Sequence, residues 1–137
     1  MIDLKKIEYK TLKGRQKESY NYQKVSAILA DYGFATIKLT DDWDGTDFIA
    51  QHFKNGVLLK VQLKSRLTFH EKYSKKDLWI CFPDNGNWYL YKHDDLLEIF
   101  LNKNDGINQS KSWSESKSYT YPRLSKKNQT LLKKYKL

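Results

Sequence analysis

The stretch DFIAQHFKNGVLLKVQLKSRL, residues 47–67, constrains the fold more than any other part of this chain. Two apolar runs flank Asn55-Gly56, the dipeptide that most strongly favours a tight β-hairpin turn. In the second run the side chains alternate. Val57, Leu59, Val61 and Leu63 share one face, and Leu58, Lys60, Gln62, Lys64 and Arg66 share the other. A period of two belongs to a strand with one buried face. Folding the runs back at Asn55-Gly56 is expected to bring Phe53 near Leu58 and Asp47 near Lys64. A carboxylate, an amide and an ammonium group then meet at the open end of the hairpin.

The rest of the chain supplies partners for that sheet. Tyr22, Val25, Ile28, Leu29 and Tyr32 recur at helical spacing, which predicts a helix from Glu18 that ends at Gly33. The β-branched run 34–40 reads as a strand, DDWDGT as a turn, and 47–53 and 57–69 as the second and third strands. DLWICF, closed by Pro83, and WYLYKH complete a set of five. Asp94 is placed to cap a helix over DLLEIFLNK, stopping before Gly106. Residues 108–120 are rich in Ser and Lys and read as a loop pinned by Trp113 and Tyr119; a basic helix capped by Ser125 follows. The expectation is a mixed α/β domain, a hairpin-built and largely antiparallel sheet with flanking helices. Residues 1–107 carry it, and 108–137 pack on it or trail from it.

Length and charge narrow the function. A chain of 137 residues suffices for one core, and 39% hydrophobic residues argue against disorder. The net charge of +9 favours anionic partners, nucleic acid before an acidic membrane surface. The start MIDLKKIEYK lacks the apolar segment of a secretory leader, and no stretch reaches the length of a membrane helix, so a cytoplasmic protein is expected. Cys81, the only cysteine, lies in an apolar run and reads as a buried free thiol. His52, His70 and His93 lack metal-ligand spacing, which argues against zinc.

The hairpin end suits phosphodiester hydrolysis. Magnesium or manganese needs only one or two carboxylates and accepts neutral oxygens for the rest. Asp47 supplies the carboxylate, Gln62 an amide oxygen and Leu63 a backbone carbonyl. Lys64 holds the water or stabilises charge developing on phosphorus.

Asp47 followed by Gln62-Leu63-Lys64, after a helix ESYNYQKVSAILADYGF, resembles the PD-(D/E)xK nuclease superfamily in its Q-x-K variant. Holliday junction resolvases and Mrr-like restriction endonucleases open in a similar way. The resemblance covers about residues 14–100. It implies an αβββαβ restriction-endonuclease-like core, a divalent-metal-dependent endonuclease acting on DNA, and a homodimer for cutting two strands. It also implies that Glu18 on the opening helix orients metal or water, with Gln23 as the other candidate. Two positions depart from the pattern: Thr46 replaces the usual Pro, and Gln62 replaces an acid. The second change removes a negative charge that Asp44 or Glu18 would have to replace.

Lys60 and Arg66 flank the site, and Lys72, Lys75 and Lys76 follow it, so all five are candidates for phosphate contact. Trp43 is the candidate for stacking on a base. Lys126, Lys127, Lys133, Lys134 and Lys136 make the C-terminal helix basic, and read either as a second phosphate footprint or as a disordered tail. Each has a plainer reading as a solvated face, and Asp47 taken alone reads better as an Asx-turn residue after Gly45 than as a ligand. Two other classes stay open: a degenerate module of the same fold that binds nucleic acid, RNA included, without cutting, and a protein-interaction module. No element such as a helix-turn-helix argues for base specificity.

Overall fold

The computed structural model describes residues 1–103 and 106–137. After an extended lead-in, helix α1 spans Gly14–Asp31. It begins a turn earlier than its apolar face suggests, because Gln16 Oε1 accepts the Lys13 N–H at 2.9 Å. Val25 and Leu29 are its buried residues. Gly33 ends the helix at φ +86°, and a Cβ there would sit 2.7 Å from His52 Nε2, so this position needs glycine on both counts.

Among the described residues, seven strands follow in two sheets. They are β1 (Phe34–Trp43), β2 (Thr46–His52), β3 (Leu58–Leu63), β4 (Thr68–His70), β5 (Leu78–Asp84), β6 (Asn87–Lys92) and β7 (Ser118–Thr120). The main sheet runs β1-β2-β3-β5-β6, and β4 pairs with β7. Only β3 and β5 are parallel, so the main sheet is mixed. Helix α2 is His93–Asn102, α3 is Lys111–Ser116 and α4 is Lys126–Leu132. No helix among the described residues is long and apolar enough to cross a membrane.

Two apolar clusters hold this arrangement. Val25 and Leu29 pack with Phe48, Ala50, Leu59, Val61 and Cys81. Leu67, Phe69, Leu78, Ile80, Phe82, Tyr91, Leu96 and Phe100 form the larger cluster with Ile107 and Leu132. The alternation expected in β3 holds: Leu59 and Val61 are buried, and Leu58 is 51% exposed. Each such buried aliphatic side chain contributes roughly 1.5–3 kcal/mol.

Several expectations are corrected. The hairpin register differs from the one expected. Phe48 faces Val61 and Gln51 faces Leu58, so the next pair at the open end is Asp47 with Gln62, not Lys64. The cause is the loop. His52 N–H donates to Val57 C=O at 2.8 Å, and the His52 ring accepts the N–H groups of Lys54 and Asn55, fixing 53–56 as the turn.

Residues 57–69 are not one strand. The chain leaves the sheet after Leu63, because Leu67 and Phe69 belong to the larger cluster. There the Tyr91 hydroxyl donates to the Thr68 carbonyl at 2.6 Å. Between β3 and its parallel neighbour β5, the helix of an αβββαβ order is replaced by β4 and one 3-10 turn, Glu71–Tyr73. Strand β5 runs through Pro83, which pairs with Trp88. Asp94 does not cap α2. It lies in the first turn, where its carboxylate accepts the Lys75 N–H at 2.8 Å and a hydrogen bond from His93 Nδ1.

Residues 108–120 are ordered rather than a loop: Ser110 Oγ caps α3, and β7 continues the chain onto β4. Trp113 and Tyr119 pack on the larger cluster. Ser125 caps α4 as expected, with Oγ accepting the Asn128 N–H at 3.1 Å.

Candidate active site

The β1–β2 turn opens the site. Asp44 and Gly45 both have positive φ, 52° and 82°, the left-handed pair of a tight hairpin turn. Asp42 Oδ1 accepts the Gly45 N–H at 3.1 Å. Gly45 packs so closely on Tyr73 that a Cβ would lie 2.9 Å from the ring. Strand β2 then starts with Thr46, buried, and Asp47, half-buried.

Asp47 Oδ2 accepts the Leu63 N–H at 2.7 Å. This bond occupies one carboxylate oxygen and locks the end of β2 to the end of β3. Burial holds the Asp47 carboxyl above its ordinary value of 3.8. The Leu63 N–H and the Lys64 charge oppose that rise, while Glu18 and Asp42 add to it. A carboxylate desolvated in this way, beside further acids, is stabilised by added positive charge.

Gln62 donates from Nε2 to the Leu63 carbonyl at 3.3 Å, so that carbonyl is already in use. Lys64 extends the ladder to β5, its N–H donating to the Cys81 carbonyl at 2.9 Å. Its ammonium lies 5.4 Å from the Tyr73 ring centroid, a cation–π contact. No ion pair joins it to Asp47.

Glu18, Asp47, Gln62 and Lys64 all line one cleft of about 920 Å³. Arg15, Lys38 and Thr46 line it too, none of which the sequence singled out for chemistry. Thr46 Oγ1 is buried without a hydrogen-bond partner, a cost of roughly 1–3 kcal/mol. Gln23 lies outside this cleft: it donates to Ser19 Oγ at 3.3 Å and lines a separate pocket beside Ile7 and Tyr20.

The expected phosphate contacts do not line the cleft. Lys60 stacks 5.6 Å over Trp43, and Lys72 lies 5.2 Å over Tyr73. Lys76 pairs with Asp44 at 3.5 Å, and Arg66 and Lys75 are exposed. Trp43 is 52% exposed on the strand leading into the turn. The histidines have structural partners. His52 caps the hairpin loop, His70 caps the 3-10 turn, and buried His93 Nε2 accepts the His70 N–H at 3.1 Å.

The oxygen donors here would suit a hard divalent cation more than zinc, which favours sulfur and imidazole nitrogen. Among the described residues, no three His, Cys, Asp or Glu side chains come together to hold a metal. The atoms at the β2–β3 end that could ligate an ion are oxygens, those of the Asp47 carboxylate and the Gln62 amide, with Glu18 in the same cleft. Magnesium is commonly held this way, by few protein oxygens and several waters.

No protein-family model matches this chain, and a search of curated proteins finds no match.

Proposed function

We propose that this chain is a divalent-cation-dependent endonuclease that hydrolyses phosphodiester bonds in DNA, of the PD-(D/E)xK type, working as a homodimer where two strands are cut. The observation that carries the reading is the convergence of Glu18, Asp47, Gln62 and Lys64, from three elements, on one cleft. The basic charge of +9 supports a polyanionic substrate.

Asp47 and Gln62 would hold magnesium or manganese. Such an ion acidifies a bound water and screens charge on the phosphoryl oxygens. Asp47 keeps Oδ2 on the Leu63 N–H, which fixes the carboxylate and leaves Oδ1 for a further partner. Lys64 sits on a backbone pinned to Cys81, and its ammonium donates hydrogen bonds to the attacking water or to an anionic phosphoryl oxygen. Glu18, across the cleft on α1, orients that water.

One observation favours a second reading, a module that binds nucleic acid without cutting it. Gln62 is neutral, and the described residues bring no three acidic or imidazole ligands together. A cleavage assay separates the two: metal-dependent cutting that disappears in Lys64→Ala supports the nuclease, and binding without cutting supports the module.

A further inference from the structure

We propose that Arg15 and Lys38 grip the phosphates that flank the scissile bond, so that the bound DNA strand crosses the α1 side of the sheet. This rests on the nuclease reading. Lys60, Arg66, Lys72, Lys75 and Lys76 all lie outside the cleft. The cations inside it are Arg15, Lys38 and Lys64. They come from three places, the first turn of α1, β1 and the residue that follows β3.

Arg15 and Lys38 are exposed, and neither forms an ion pair among the described residues, although Glu18, Asp41 and Asp42 line the same cleft. Lys38 has its ammonium 5.7 Å over the Tyr22 ring, which steadies it at the cleft wall. A strand cut at Asp47 and Lys64 must continue past them in both directions. Its neighbouring phosphates need positive charge on the opposite wall, and Arg15 and Lys38 supply it. Among the described residues, the four carboxylates lining the cleft outnumber the three cations, so the grip acts fully only once a divalent cation or the removal of a carboxylate offsets that excess.

The test measures binding apart from cutting. Fluorescence anisotropy of a labelled DNA duplex and single strand is read at several salt concentrations in EDTA. The parent is Asp47→Asn, which lacks one carboxylate and does not cut. Arg15→Gln/Lys38→Gln in that background is expected to bind about tenfold more weakly, with a salt slope shallower by roughly 0.7–0.9 for each phosphate that is no longer neutralised. Lys6→Gln/Lys54→Gln removes equal charge at exposed positions outside the cleft and is expected to change affinity far less. Far-UV circular dichroism and the urea midpoint confirm that the exposed substitutions leave the fold intact.

Unchanged binding in the Arg15/Lys38 variant overturns the proposal, as does equal weakening in both double variants. If the native protein cuts while the Arg15/Lys38 variant binds normally, the grip alone is rejected. If the native protein does not cut but this variant binds weakly, the nuclease is rejected and with it the placement beside a scissile bond, leaving Arg15 and Lys38 as phosphate contacts of a module that only binds.

Discussion

Replacing Asp47 separates the site's function from its cost to the fold. The carboxylate does two things: it accepts the Leu63 N–H at 2.7 Å, and it carries a charge that burial disfavours. Asp47→Ala removes both and leaves the Leu63 N–H without its acceptor, which costs roughly 1–3 kcal/mol. Asp47→Asn keeps an acceptor and removes the charge. Because the folded carboxyl titrates above its ordinary value, the folded chain holds this proton more tightly than the unfolded chain. The stability this brings is complete below pH 3.8 and is lost as pH rises through the folded value. Asp47→Asn does not titrate, so its stability relative to the native protein should improve as pH rises.

In EDTA near neutral pH, the order of urea midpoints is therefore expected to be Asn equal to or above native, and native above Ala. Magnesium should then raise the native protein by about 1.4 kcal/mol at ten times its dissociation constant, and raise neither variant. Two results refute the reasoning. One is Asn as unstable as Ala, which would mean that the charge itself holds the strands together. The other is an equal magnesium shift in all three proteins, which would mean that the ion does not bind at Asp47.

Two further perturbations probe the supports of the site. Gly45→Ala puts a side chain at φ +82° with its Cβ 2.9 Å from buried Tyr73, so a drop of at least about 2 kcal/mol in stability by urea unfolding is expected, with weaker cutting because Tyr73 lies under Lys64. A drop below about 0.5 kcal/mol would show that the turn and ring adjust freely. Tyr91→Phe removes the hydroxyl that donates to the Thr68 carbonyl at 2.6 Å in a buried setting, and should cost about 2 kcal/mol with an unchanged denaturant slope. An unchanged midpoint would mean that this bond does not hold the chain where it leaves β3.

What was legible in the sequence was what local periodicity encodes. The face of α1 with Val25 and Leu29, the alternation in β3 and the Ser125 cap all follow from neighbours in the chain. The errors have tertiary causes. Asn55-Gly56 favours a tight turn, but the His52 side chain caps a longer one, and turn preferences do not register a histidine acting as a cap. Alternation runs on through Lys64, Ser65 and Arg66 without a breaker, so nothing local announces that Leu67 and Phe69 turn into another cluster. Residues 108–120 have a loop's composition, yet Ser110, Trp113 and the pairing of β7 with β4 order them. Glu18, Asp47, Gln62 and Lys64 stood out in the sequence, and the fold brings them to one cleft. Arg15 and Lys38 did not stand out, because among 25 Lys and Arg residues only the folded sheet end distinguishes those that face the cleft.

The most direct measurement is a cleavage assay of the native protein and Lys64→Ala on duplex, single-stranded and four-way-junction DNA and on RNA, with magnesium, manganese or EDTA. The account predicts DNA cutting that requires the metal and disappears in Lys64→Ala. No cutting of any substrate, with salt-sensitive binding retained by both proteins, would contradict it and leave a module that holds nucleic acid without hydrolysing it.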